Sequence, residues 1–512
     1  MTDGSTLPAP GTAASEARRV PDWVILAIAC VAQFMVVLDV SIVNVALPSI
    51  GRDLHYSPTG LQWVVNAYVL TFAGFLLLGG RAADLFGRRR VYLLGLFLFT
   101  AASLVGGIAQ NSAWLTTARA MQGIGGAILS PATLTIIVTT FKGAKTARAL
   151  GIWSAVAGAG GATGSILGGV LTAELSWRWV LFVNIPIGIL AMAAAVLYLT
   201  ELRGRDEASA RALDIAGAVT VTAGLGALIY AIVGTDTHPW RSGYTLSLLG
   251  IAGVLLISFT FLELKVASHP LVPFRLFRSR AVSGANVVML LIGAAFFSMW
   301  YFLSLYMQNV LGYSPLRAGL AFLPMALMII VGAQTSSRLL PVIGVRPPLL
   351  AGTLLAGGGF AWLTQIQAHS SYAGHVLGPG CIISLALGLL FTPLASAATA
   401  GVAFTEAGLA SGVLNTSRQV GGSLGLAALA TIASDRSHSL LAAGHGAVDG
   451  AVALTGGYAR AFTGAAVLVL VALVSSFLVP GIRHRRRSAG ADMPVSSPAP
   501  APGEVAFDPE LA

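Results

Sequence analysis

Residues 24–50 read VILAIACVAQFMVVLDVSIVNVALPSI. A bilayer core needs about 20 apolar residues for one helical crossing. This run is longer than that, and it carries one acidic residue, Asp39, well inside it. A charge at such depth costs about 2.5–3.5 kcal/mol on insertion scales. A chain that keeps one there uses its proton, its charge or a partner that it holds. The stretch therefore reads as a membrane span with a working carboxylate.

The rest of the chain extends the pattern. It has 512 residues, 56% hydrophobic and 10% charged, with a mean hydropathy of +0.81. A soluble domain carries about 25% charged residues. Thirteen more apolar stretches lie near 61–80, 91–109, 113–139, 149–172, 179–199, 212–233, 245–262, 282–308, 318–339, 348–366, 376–398, 408–433 and 461–480. The expected fold class is all-α, a polytopic membrane protein with 14 transmembrane helices. Of the 30 Lys and Arg, 22 fall on one side if the N-terminus is inside. Six lie in outer loops (Arg52, Arg178, Arg241, Arg317, Arg436 and Arg460), and Arg119 and Arg418 lie within spans. The positive-inside rule then predicts two cytoplasmic termini. The net charge of +10 is an orientation signal, and no nucleic-acid groove is indicated. The basic run at 483–487 suits either anionic lipid heads or a stop signal.

An offset of 257 aligns the chain with itself. Tyr56, Ser57 and Pro58 fall on Tyr313, Ser314 and Pro315, Arg81 on Arg338, Gly87 on Gly344, and Arg89 on Arg346. Span two thus corresponds to span ten. A directly repeated six-helix unit would give an offset of six spans, so two extra helices separate the halves. The expected organisation is a tail (1–21), a six-helix bundle (22–200), two inserted helices (201–267), a second six-helix bundle (268–482) and a second tail (483–512). Such repeats are a plan of secondary transporters, with the substrate at mid-depth between them.

Four motifs point to one family. GGRAADLFGRRR at 79–90 forms a tight turn, with Gly80, Asp84, Gly87, Arg88 and Arg89 in signature positions. It resembles the turn between helices two and three of the major facilitator superfamily, with Ala82 in place of a leucine. LDVSIVNVALPSI at 38–50 and LTTARAMQGIGGAILSPATL at 115–134 resemble spans one and four of the fourteen-span drug/proton antiporter branch. In span five, Gly151, Gly160, Gly164, Gly168 and Gly169 match the exporter spacing, with Ser165 where the family has proline. The resemblance implies proton coupling at Arg119, conformational gating at the 80–89 turn and close helix packing through the five glycines. It extends from 22 to about 482.

Depth brings Asp39 and Arg119 together. Asp39 precedes Pro48 by nine residues, and Arg119 follows Ala113 by six. At ~1.5 Å per residue, they lie roughly 13 Å and roughly 9 Å from the outer surface. The two are expected to meet and to couple protons; a static structural pair is the alternative. Arg418 has three candidate roles: binding an anionic substrate, pairing with Glu406, or capping carbonyls. Asn44, Phe297, Trp300 and Arg418 form a possible substrate pocket; packing against lipid or core explains the aromatics equally. The eight histidines are expected in loops or tails, and Cys30 and Cys381 suggest no disulfide or metal site.

The leading function is proton-coupled export of hydrophobic small molecules by alternating access, from a bacterial cytoplasmic membrane. The expected partners are a lipophilic substrate, protons and membrane lipids, with the chain a monomer. No cofactor or metal is expected, nor enzymatic activity. No Gly-x4-Gly-Lys-Ser/Thr loop occurs, which argues against ATP drive. An importer or facilitator of a small metabolite is the alternative, and an integral membrane transferase the alternative of another class.

Overall fold

The computed structural model describes residues 20–142, 144–199, 214–235, 237–267, 270–402, 406–443 and 449–481. Among these, all regular structure is helical. The elements are α1 (Asp22–Asp53), α2 (Trp63–Phe86), α3 (Arg88–Gly107), α4 (Ser112–Thr140), α5 (Ala144–Glu174), α6 (Trp179–Phe182) and α7 (Asn184–Tyr198). Then come α8 (Ile215–Gly234), α9 (Gly243–Phe261), α10 (Arg280–Leu305), α11 (Pro315–Ala321), α12 (Leu323–Ile343), α13 (Arg346–Leu363), α14 (Gly378–Thr399), α15 (Ala407–Ala443) and α16 (Gly450–Ser476). Residues 1–19 and 483–512 of the expected tails, and 201–213 at the start of the expected inserted pair, lie outside the described residues.

Among the described residues, twelve helical stretches are long and apolar enough to cross a membrane. The expected count was fourteen. The two that fall short are α13 and α15. The first opens on Arg346-Pro-Pro, and the second carries Asn415, Arg418 and Gln419 among many small polar residues. Polarity lowers their mean hydropathy, although both are continuous helices. α15 also runs ten residues past its expected end at 433. His438 is consequently helical, and His375 sits in a helical turn before α14. This corrects the expectation that every histidine lies in a loop or tail.

The packing pattern occurs twice. α1 packs on α5, α2 and α3 on α4, and α3 and α1 on α7. In the same pairing order, α10 packs on α15, α12 and α13 on α14, and α13 and α10 on α16. The two turns that align in sequence share a backbone feature. Gly87 has φ +92° and Gly344 φ +80°, a region that residues with a Cβ avoid. α8 lies against both α2 and α15, where Leu225, Ile229 and Val233 cluster with Leu70 and Ala427. α9 packs on α8 and is otherwise largely exposed, as a lipid-facing helix must be.

Candidate functional site

Asp39 is fully buried, and so is everything it touches. Arg119 Nη1 donates to Asp39 Oδ2 at 2.6 Å. Gln122 Nε2 and Asn184 Nδ2 donate to Asp39 Oδ1 at 2.7 and 3.0 Å. Ser103 Oγ accepts from Asn184 at 3.0 Å and from Gln122 at 3.3 Å, and itself donates to Leu181 O at 2.8 Å. Arg119 also donates from Nη1 to Gln122 Oε1 and from Nε to Val64 O, and its guanidinium lies 4.5 Å from the Tyr68 ring centre. The side chains come from α1, α2, α3, α4 and α7. A buried ion pair repays its desolvation only when the remaining donors and acceptors are also served. Here the carboxylate accepts three bonds.

The glycines of α4 make this convergence possible. A Cβ on Gly123 would collide with Tyr68 O of α2, and one on Gly125 would lie 2.9 Å from Phe99 Cα of α3. Close backbone approach is what small residues allow between membrane helices. Arg119 and Gln122 then share one face of α4, three residues apart.

A second set of contacts joins the early helices to the late ones. Ser304 Oγ of α10 donates to Asn44 O of α1 at 2.7 Å, and Gln308 Nε2 donates to Val45 O at 2.9 Å. Pro48 explains the first. It has no N–H to offer the carbonyl four residues back, so Asn44 O is left to accept Ser304. The Asn44 side chain turns to its own helix, donating to Val40 O. On α5, Gly169 abuts Pro315 and Leu316 of α11, and Gly319 of α11 sits on Ser165 O.

Four of the five span-five glycines lie in tight contacts. Cβ atoms on Gly160, Gly164 and Gly168 would lie 2.7–2.9 Å from backbone carbonyls of α1. Gly169 faces α11. Gly151 is different: a Cβ there would meet nothing within 4 Å. Its expected packing role is therefore corrected: nine residues before Gly160, it lies on the opposite face of α5 from the glycines that press on α1. Ser165, in place of the family proline, accepts or donates at 3.0 Å with Ser41 Oγ, which also donates to Gly161 O at 2.6 Å.

In the 80–89 turn, Gly80 lies against Pro131 of α4. Arg88 pairs with Thr139 of α4, and Arg89 Nη2 donates to Val196 O of α7 at 2.8 Å. The Asp84 side chain lies outside the described residues.

The late helices carry a second polar group. Arg418 Nη2 donates to Asn415 Oδ1 at 2.8 Å, and its guanidinium lies 5.4 Å from the Phe391 ring centre on α14. Glu406 does not reach it; that carboxylate pairs with Arg275. Phe297 packs on Gly422 one turn along α15, and Trp300 lies 4.8 Å from Phe322 by ring centres. Phe297 thus lies one helical turn from Arg418, Trp300 sits against Phe322 instead, and the Asn44 side chain is spent on its own helix.

Sequence reasoning placed Asp39 beside Arg119 and missed Gln122, Asn184 and Ser103. Asn184 stood in the conspicuous WRWVLFVNIPIG at 177–188, and a polar residue opening an apolar span was the available signal.

Residues 29–426 match the family described as Major Facilitator Superfamily, and the chain belongs to that family. It is a multi-pass membrane transporter and not an enzyme. The cephamycin export protein CmcT of Amycolatopsis lactamdurans is 44% identical over 459 residues, 89% of this chain and 92% of that protein. The puromycin resistance protein pur8 of Streptomyces alboniger is 39% identical, covering 89% of this chain and 91% of its own length. Among solved structures, an inward-facing, unoccupied bacterial homolog of the human lysosomal transporter Spinster aligns with a TM-score of 0.62. It is 16% identical, with 89% of this chain and 96% of that chain covered, a likeness of fold.

Proposed function

We propose that this chain exports antibiotic-like small molecules across a bacterial cytoplasmic membrane in exchange for protons. The observation that carries the reading is the sealed Asp39–Arg119 pair in a transporter whose relatives are export and resistance proteins. Alternating access moves two six-helix bodies, α1–α7 and α10–α16, against each other. The inserted pair α8–α9 brings the crossings to fourteen, once α13 and α15 are included. Both termini are cytoplasmic, as the basic residues indicate.

The coupling follows from geometry. Protonating Asp39 removes the charge that holds Arg119, so α1 and α4 lose their strongest link. Asn44 lies five residues further along α1, about 7.5 Å away, and its carbonyl grips Ser304 of α10. A shift of α1 at Asp39 therefore reaches the contact between the two bodies. The substrate drives the equilibrium only by binding one state better than the other. The 80–89 turn, with Gly80, Asp84, Gly87, Arg88 and Arg89, biases that equilibrium at the inner surface.

The test is efflux from a hypersensitive bacterial strain. Wild-type protein should raise tolerance to at least one antibiotic of a broad panel, and collapse of the pH gradient should remove the effect. Asp39→Asn should insert normally and pump nothing. Wild-type efflux by that variant would exclude Asp39 as the coupling site.

A further inference from the structure

We infer that Arg418 receives an anionic group of the transported compound, so that the preferred substrates are lipophilic acids. The inference rests on the exporter reading and concerns the substrate class it leaves open.

The two arginines within the spans have opposite surroundings. Arg119 is neutralised by Asp39 at 2.6 Å. Arg418 has no carboxylate within 4.0 Å among the described residues, and Glu406 is taken by Arg275. The sole acceptor of Arg418 there is Asn415 Oδ1, and its Nε has no partner. No backbone carbonyl takes its protons either, which removes the capping role. A guanidinium offers five N–H donors in a planar fork that fits a carboxylate with two parallel bonds. A cation kept at this depth without a counter-charge is costly. An anion arriving with the substrate supplies that charge, with four of the five N–H donors left to bind it.

The surroundings also place Arg418 on the transport path. Ser304 and Gln308 mark the face of α10 that meets α1. Phe297 is seven residues before Ser304, and Trp300 eight before Gln308, so both lie on that face. Phe297 covers Gly422, one turn from Arg418 on α15, and Phe391 reaches Arg418 from α14. Phe297, Trp300, Phe391 and Arg418 are each half-buried. The wall they form has an apolar, aromatic part and one positive point, beyond the contact between the two bodies. An amphipathic acid matches both features; a cationic drug would meet Arg418 as a like charge.

The test uses four inhibitors with intracellular targets in a hypersensitive strain: fusidate and nalidixate (carboxylates), chloramphenicol (neutral) and puromycin (cationic). Wild-type protein should raise the inhibitory concentration of a carboxylate at least eightfold. Arg418→Gln, present in the membrane at the wild-type amount, should bring it within twofold of the empty strain. Arg418→Lys should retain at least half of the effect. Should the glutamine variant fail to accumulate, uptake of fusidate and its uncharged methyl ester into energised inverted vesicles decides, with the wild-type protein expected to favour the acid at least tenfold. Protection confined to chloramphenicol or puromycin, undiminished fusidate protection by Arg418→Gln, or equal uptake of acid and ester overturns the inference and leaves the exporter standing. No protection against any antibiotic of the broader panel overturns both.

Discussion

Asp39→Asn and Arg119→Gln, made singly and together, test whether the buried pair acts as a unit. Asp39→Asn keeps the shape but sets an amide where Arg119 Nη1 approaches at 2.6 Å and two further side-chain donors converge. It leaves Arg119 buried without its counter-charge. Arg119→Gln leaves the Asp39 carboxylate with only the Gln122 and Asn184 amides. Breaking a buried pair from one side costs about 3–5 kcal/mol. At about 3 kcal/mol each, independent effects would total about 6. The double variant has no buried charge. It loses the bonds of Arg119 to Asp39, Gln122 and Val64, and bonds between membrane helices average ~0.6 kcal/mol. Its cost should therefore be about 2–3 kcal/mol, a coupling of about 3 kcal/mol. The assay is denaturant unfolding of the purified protein in mild detergent, followed by tryptophan fluorescence. Strict additivity, within about 0.5 kcal/mol, would refute the pair as an energetic unit. The double variant should also remain unable to pump, because the titratable group is gone.

Three other changes probe the helix contacts. Gly164→Leu should lower stability by about 2 kcal/mol or more, since its Cβ would lie 2.8 Å from Leu38 O; Gly151→Leu should leave the unfolding midpoint unchanged, and equal losses at the two sites would contradict the packing described. Gly87→Ala should cost about 1–3 kcal/mol through its φ of +92°, measured by the same unfolding assay; a neutral result would mean that the turn relaxes freely. Ser304→Ala with Gln308→Ala removes two bonds between α10 and α1, worth about 1 kcal/mol together. Spin labels in the loops at 54–59 and 310–314 should then report a larger separated population, and an unchanged distance distribution would show that these bonds do not hold the seal.

Much of this molecule is local in origin and was legible from residues alone. Apolar runs of span length and basic turns specify membrane helices through residues close together in the chain. Depth along a helix is also local, since each residue advances the chain by a set rise. That is why Asp39 and Arg119 were matched from the order of residues, and why Gly87 and Gly344 were recognised as equivalent turns before their φ angles were known.

The rotation of one helix against another is not local, and tertiary structure decided what depended on it. Gln122, Asn184 and Ser103 reach Asp39 because α3, α4 and α7 present those particular faces at one depth. Composition and spacing carry no such angle. The five glycines of α5 look alike in sequence, yet Gly160, Gly164 and Gly168 press on α1 while Gly151, on the opposite face, meets nothing; which face has a neighbour separates them. Glu406 and Arg418 lie on one helical stretch about 18 Å apart along its axis, too far to pair; packing gives the carboxylate to Arg275 and leaves the arginine without a counter-charge among the described residues. Sequence determined which segments are apolar and helical and how far along its helix each charge sits. Only the packing of those segments decided which charges meet, because contact is set by tilt, rotation and close approach of helices far apart in the chain.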